Sequence, residues 1–205
     1  MIAIYFLVIG WGVCVMSSLG SGILLRIIHS KKTAEITTRI IHLIVVSSIT
    51  LPLINVIYHL RVYNYDELLN IPSMPFLTIS KAVGVVMMLI GIGLAILAPI
   101  SLLESGEGLP LFVLTKKVVT KEIYKRTRNP MMLGFFLTVV GIGLLVGSSF
   151  FTLWSLIAFI PAIIFWLKFF EERELEMRFG QSYREYKQRV PFLIPSFRKM
   201  TGTKS

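Results

Sequence analysis

The strongest constraint on this chain is a set of apolar runs too long for a soluble core. Stretches at roughly 2–25, 40–59, 82–103, 131–147 and 150–167 contain no Asp, Glu, Lys or Arg. A helix rises about 1.5 Å per residue, so segments of this length match the ~30 Å hydrocarbon core of a bilayer. Lipid offers no hydrogen bonds, and a helix is the single-segment structure that satisfies its own backbone. The expected fold is therefore all-α: residues 1–205 form a single polytopic membrane domain with about five transmembrane helices. Of the 205 residues, 55% are hydrophobic, more apolar surface than a soluble domain of this size can hide. Only Gly147-Ser148-Ser149 separates the last two runs, which calls for a tight antiparallel hairpin. The first run has no basic leader and exceeds the usual signal-peptide core, so it reads as a retained span.

The chain carries 21 Lys and Arg against 11 Asp and Glu, and their distribution sets the orientation. All the basic residues except Arg61 and Lys81 fall in 26–39, in the 104–128 loop, or in the tail from Lys168 onward. Five crossings put these three regions on one side. The positive-inside rule makes that side cytoplasmic, with the N-terminus outside and the C-terminus inside. Charge placed this way anchors a membrane protein, so no nucleic-acid partner is expected. The single cysteine, Cys14, lies within an apolar run and reads as a small packing residue. With one cysteine there is no disulfide framework and no Cys-based metal cluster, and no metal is expected.

Polar groups concentrate beside the last two runs. Lys125-Arg126-Thr127-Arg128-Asn129-Pro130 leads without a spacer into Met131-Met132-Leu133-Gly134. Asn is favoured as an N-cap and Pro at the first helical position, so the pair marks a helix start. First-turn N–H groups, with Arg128 beside them, form a site for a carboxylate or phosphate. Gly134, one turn in, lets a ligand or a neighbouring helix come close.

The exit of the last run is anionic, with Glu171, Glu172, Glu174 and Glu176 in quick succession. Glu174 has Arg178 at i+4, the favourable order for a helical pair. Glu171 and Glu172 have no basic residue at i+4, and Glu172 faces Glu176. Unpaired carboxylates at a membrane surface call for a cationic or hydroxyl-bearing ligand. Gly180 should end this helix. Tyr183 and Tyr186 then share a face of a short helix that stops before Val190-Pro191 and lies on the membrane or over the mouth of the bundle. A cationic helix start facing an anionic helix end suits a zwitterionic ligand.

These residues resemble a known pattern. Tyr124 and Arg128-Asn129-Pro130-Met131-Met132-Leu133-Gly134 are similar to the Arg-His/Asn-Pro-x-Tyr-x-Gly motif of the isoprenylcysteine carboxyl methyltransferases and phospholipid methyltransferases. Glu171-Glu172, Leu175, Phe179-Gly180, Tyr183, Tyr186 and Val190-Pro191 resemble the C-terminal signature of the same family. Gly91-x-Gly93 is similar to a Gly-x-Gly that phospholipid N-methyltransferases use at their cofactor. The resemblance covers 124–195 and implies S-adenosylmethionine bound from the cytoplasm, with a lipophilic acceptor entering from the bilayer. Residues 104–205 would then be the cofactor-binding and catalytic part. Tyr124, Arg128, Asn129, Pro130, Met132, Gly134, Glu171, Glu172, Gly91 and Gly93 are the implied cofactor residues, and Arg178, Tyr183 and Tyr186 the substrate residues.

Methyl transfer from a sulfonium needs mainly positioning and exclusion of water, and no catalytic acid or base is singled out. His29, His42 and His59 all precede the third run. His29 lies where it can approach the site, whereas packing or interface roles suit His42 and His59. Two departures bear on the acceptor: Asn129 stands where the carboxyl methyltransferases have His, and Met132 where many members have Tyr. An alternative is a steroid-reductase-type NADPH enzyme, but Phe135 follows Gly134 where that pattern has Glu. A non-catalytic membrane scaffold is a further alternative, and it requires no pocket at Glu171-Glu172.

Overall fold

A computed structural model describes residues 2–27, 30–59, 65–104 and 122–196. His29, the side chain of His59, and Arg61, Lys116, Lys117, Lys121, Arg198, Lys199 and Lys204 lie outside the described residues. The described chain is helical, without a strand. In order come α1 (Ile2–Ile27), α2 (Lys31–His59), a single turn α3 (Tyr65–Leu68), α4 (Leu77–Glu104) and α5 (Pro130–Val146). Next is one continuous helix, Ser149–Phe179. It comprises α6 (Ser149–Trp154), α7 (Ile160–Trp166) and α8 (Glu172–Phe179), joined by π turns at Ser155–Phe159 and Leu167–Glu171. A last helix, α9 (Gln181–Arg189), follows Gly180.

Among the described residues three helices are long and apolar enough to cross a membrane: Tyr5–Ile27, Leu77–Glu104 and Ser149–Phe179. With 17 residues, α5 is about 25 Å long, slightly short of the hydrocarbon thickness. Large apolar side chains cover the outside of the bundle, among them Ile9, Leu43, Leu89 and Ile157, each more than 60% exposed. Apolar surface on this scale needs a cover, and lipid supplies one.

The segment 26–39 differs from the expected basic connection. It is mostly helix, because α1 runs on to Ile27 and α2 already begins at Lys31. Arg26 therefore sits in the last turn of α1 and Arg39 in the third turn of α2, because both helices outrun their apolar stretches and carry charge into the interface.

Helix α4 packs on α5 with the two backbones in close approach at four glycines. Gly84 faces Gly141 and Gly91 faces Gly134, two pairs spaced by seven residues and hence on one face of each helix. A Cβ on Gly134 would lie 2.5 Å from the Gly91 carbonyl, and one on Gly84 2.7 Å from that of Gly141. Small residues allow such approach where lipid removes the hydrophobic drive between helices. The duplicated Gly-Ile-Gly-Leu phrase is thus explained by packing at Gly91 and Gly141, while Gly93 has open space around it.

Residues from α1, α2, α5 and the Ser149–Phe179 helix build the main core, with Leu7, Leu25, Val45, Phe151, Ile163 and Phe170 fully buried. Cys14 is free and buried there, in the packing role expected. At the other end of the bundle, Gly147 closes α5 in the left-handed conformation (φ 79°) and Ser148 caps α6, accepting from Phe151 N–H at 3.2 Å. Asp66 completes that joint: its carboxylate accepts from Ser149 N–H at 3.0 Å and Phe150 N–H at 2.6 Å.

Candidate functional site

The middle of α2, the end of α4, the start of α5, and the Ser149–Phe179 helix with α9 converge around one cavity of about 390 Å³. That volume lies within the ~300–1,000 Å³ range of small-molecule sites. Its lining changes character along its length. Tyr124, Arg128, Asn129, Glu171, Tyr183 and Tyr186 form a polar end, while Val45, Val46, Ile49, Phe135 and Ile163 form an apolar end.

Two chain segments of opposite charge meet at the polar end. Arg128 Nη1 donates to Glu172 Oε1 at 2.5 Å, and Lys187 Nζ on α9 reaches Glu172 Oε2 at 2.6 Å. Glu172 is thus a buried hub joining the start of α5, α8 and α9. Arg128 also donates its backbone N–H to the Pro191 carbonyl at 2.9 Å, and Thr127 Oγ1 donates to Leu193 O at 2.8 Å. Residues 191–196 are therefore strapped along 126–129. Burial alone would lower the Lys187 pKa, but its hydrogen bonds to Glu172 and Glu176 outweigh this and raise it.

Asn129 occupies the N-cap position but does not cap. Its side chain makes no cap hydrogen bond and instead donates from Nδ2 to Phe192 O at 2.9 Å. The expectation of an Asn cap is corrected on that point, because the strap competes for the same amide. The helix start itself stands, with Pro130 in the first turn and Leu133 N–H bonded to Asn129 O at 3.0 Å. Arg128 Nε is buried with no hydrogen-bond partner among the described residues, and the Tyr183 hydroxyl lies against the same guanidinium.

Glu171 reaches the cavity because of the π turn. Along the long helix the lining residues are Ile163, Trp166, Glu171, Leu175 and Phe179, at steps of three, five, four and four. In a regular α-helix a five-residue step would rotate Glu171 about 140° away from Trp166. The π turn at Leu167–Glu171 absorbs the extra residue and returns Glu171 to the same wall. On the outer side, Arg26 Nη1 donates to the Phe169 carbonyl at 3.1 Å and its guanidinium stacks 4.0 Å over the Phe169 ring.

Residues 79–182, half of the chain, match the phospholipid methyltransferase family. The chain belongs to that family. The protein-S-isoprenylcysteine O-methyltransferase of Schizosaccharomyces pombe is 31% identical over 106 residues, which are 46% of this chain and 42% of that protein. Methanethiol S-methyltransferase 2 of Bradyrhizobium diazoefficiens is 36% identical over 77 residues, 37% of this chain and 28% of that protein. Protein-S-isoprenylcysteine O-methyltransferase B of Arabidopsis thaliana is 36% identical over 84 residues, covering 38% and 40%. The matches thus span less than half the length of these curated relatives. No solved structure matches the chain.

In this phospholipid methyltransferase-family chain, Tyr124, Arg128, Asn129, Met132, Glu171, Tyr183 and Tyr186 line one cavity. Pro130 is buried in the first turn of α5 beside it. The two adjacent glutamates separate. Glu171 lines the cavity and makes no hydrogen bond or ion pair among the described residues, whereas Glu172 is taken up by Arg128 and Lys187. The lack of an i+4 partner for Glu172 is thus met from distant sequence, not by a ligand. Arg178 pairs with Glu174 at 2.9 Å, as its spacing implies, and it does not line the cavity. Gly91 and Gly134 face each other across the α4–α5 crossing, and the cavity wall of α4 is formed by Ala95 and Leu102.

Sequence reasoning placed no residue of α2 or α7 at the site, yet both helices line the cavity, His42, Thr50 and Trp166 among their residues. The signal for α2 was its periodicity, since His42, Val45, Val46, Ile49 and Thr50 fall on one helical face. His42 does pack, edge-on to Trp166 at 5.3 Å, and it lines the cavity as well.

Proposed function

We propose that the protein is an integral membrane methyltransferase that moves a methyl group from S-adenosylmethionine to a lipophilic acceptor at the basic face of the bundle. Five crossings put that face in the cytoplasm, with the N-terminus outside. One observation carries the reading: a single cavity runs from an unpaired carboxylate, Glu171, to an apolar wall of α2 and α5 residues. A polar donor and a greasy acceptor need such a two-ended space.

The residues at the polar end fit the donor. Glu171 supplies a carboxylate for an ammonium or for ribose hydroxyls. The first turn of α5 at Met131 and Met132, with the partnerless Arg128 Nε–H, supplies N–H groups for a carboxylate. When bound, S-adenosylmethionine supplies an electrophilic methyl group on a sulfonium. Tyr124, Tyr183 and Tyr186 flank the polar end and exclude water, and α9 forms its cover. The Tyr186 hydroxyl anchors that cover by donating to the Tyr124 carbonyl at 2.8 Å. The chain contributes position and dryness, which are the main needs of an in-line displacement.

Calorimetry of detergent-purified protein with S-adenosylmethionine and with NADPH tests the proposal. Binding of the first, weakened in Glu171→Gln by about 1–3 kcal/mol, is expected. Binding of NADPH alone would replace the methyltransferase with a reductase. Phe135, stacked at a tilt on Phe159 at 5.8 Å, gives such an enzyme no carboxylate at that position.

A further inference from the structure

Donor and acceptor differ in polarity, so their reacting atoms meet where the cavity lining changes from polar to apolar. His42 stands at that boundary. It is the first cavity-lining residue of α2, and Val45, Val46 and Ile49 continue the wall along the helix as far as Thr50. Among the described residues it is the one imidazole on the cavity wall. Its ring is held in two ways: edge-on against Trp166 at 5.3 Å, and by Nδ1 at 2.9 Å from the Thr38 carbonyl. A carbonyl can only accept, so the Nδ1 contact is a hydrogen bond when Nδ1 carries the proton. In the neutral ring the lone pair then resides on Nε2. Orientation by a backbone carbonyl is how proteins set the tautomer of a functional imidazole.

The charged surroundings limit which acceptor this site suits. Glu174 and Arg178, paired with each other on α8, also act electrostatically on the imidazole. Glu171 and Arg128 lie at the polar end of the same cavity. A carboxylate acceptor needs a cation beside it, yet the donor's carboxylate takes up the free Arg128 Nε–H, and the described cavity lining holds no second Arg or Lys. An ammonium acceptor would have to lose its hydration against Val45, Val46 and Ile49. A neutral thiol escapes both difficulties, since S–H is a weak donor that costs little to desolvate, but it must lose its proton to become a good nucleophile.

We propose that His42 is the general base for a lipophilic thiol acceptor, a proposal that rests on the methyltransferase reading above. As the acceptor sulfur forms its bond to the methyl carbon, the methyl–sulfonium bond breaks and the thiol proton passes to His42 Nε2. The products are a methyl thioether, the neutral demethylated donor and an imidazolium, which returns its proton to water.

The test uses the full-length protein in detergent with 1-octanethiol as probe and N-acetyl-S-farnesylcysteine, a carboxylate, as comparison. His42→Gln and His42→Asn are both made, because the Asn amide can retain the donor to Thr38 O if the Gln protein is unstable. Calorimetry should give wild-type affinity for S-adenosylmethionine in both variants. Thiol methylation at neutral pH should fall about 10²–10⁴-fold, the usual contribution of a general base. The residual rate should rise about tenfold per pH unit as solution thiolate replaces the missing base, while the wild-type profile stays flatter. A variant that methylates the thiol at the wild-type rate and with the wild-type pH profile would overturn the role of His42. So would a wild-type protein that binds the donor but methylates only the carboxylate. Failure of the wild-type protein to bind S-adenosylmethionine would instead overturn the methyltransferase reading, and this proposal with it.

Discussion

Glu172→Gln separates a structural carboxylate from a ligand-binding one. The native carboxylate is buried and paired on both oxygens, with Arg128 at 2.5 Å and Lys187 at 2.6 Å. Removing one member of a buried pair costs about 3–5 kcal/mol, because the other charge is left without compensation. Glutamine keeps the shape and an acceptor oxygen for Arg128, which retains roughly half of that. The Lys187 contact involves a side chain that is 36% exposed, so its loss adds only about 0–1 kcal/mol. The expected destabilisation is about 2–3 kcal/mol, or about 5–10 °C in a thermal melt of the detergent-solubilised chain. Glu171→Gln, which breaks no ion pair, should leave the melting temperature nearly unchanged and weaken S-adenosylmethionine binding instead. A double-mutant cycle with Arg128→Gln should give a coupling on the order of 1–3 kcal/mol. The reasoning fails if Glu172→Gln melts like the native protein while losing donor affinity as Glu171→Gln does. Glu172 would then be a ligand group whose pairing with Arg128 holds nothing together.

Four further outcomes are expected. Gly134→Ala should lower thermal stability by about 1–3 kcal/mol, since its Cβ would meet α4 backbone; Gly93→Ala, in open space, should be neutral or gain up to about 1 kcal/mol. Asp66→Ala removes the acceptor for two N–H groups at the start of α6 and should cost about 1–2 kcal/mol by the same melt. Burial holds the phenols of Tyr124, Tyr183 and Tyr186 above their ordinary 10.0, so the unfolded chain releases these protons first. Stability should therefore be constant below pH 10.0 with respect to these groups and fall as pH rises beyond it, and Tyr183→Phe should make that fall shallower in melts across the alkaline range. Deleting Lys168 should turn the π turn into a regular turn, with Trp166 and Glu171 at i+4 on one wall, and so retain donor binding by calorimetry. An alanine inserted after Phe169 should swing Glu171 by about 100° and abolish that binding.

The all-helical class was legible because apolar runs of membrane length admit few other solutions. The helix start at Pro130, the stops at Gly180 and before Val190, and the Glu174–Arg178 pair were legible because they depend on neighbours within one turn. What could not be read was long-range or irregular. The partner of Glu172 lies 44 residues away at Arg128, and nothing in either segment names the other. Asn129 carries every mark of a cap, yet its amide is claimed by Phe192, 63 residues later. The π turn hides Glu171 from any helical wheel drawn at 100° per residue. His42 was discounted because it is distant in sequence from the motifs, although its helical face already held the residues of the wall.

The glycines of the motif connect these two kinds of information. Gly134 does not line the cavity, and a Cβ there would lie 2.7 Å from the backbone nitrogen of Ala95, which does. The close approach at Gly134 is therefore what seats α4 near enough for Ala95 and Leu102 to form a wall. In water, burial of apolar side chains would set such a distance; between helices in lipid that drive is weak, and backbone contact at small residues takes its place. A glycine one turn beyond Arg128-Asn129-Pro130 then serves the site through the neighbouring helix, not through the ligand. On this argument the spacing from Arg128 to Gly134 couples two separate requirements. In the proposed function the charged helix start meets the donor, while the first full turn behind it admits the helix that closes the opposite side.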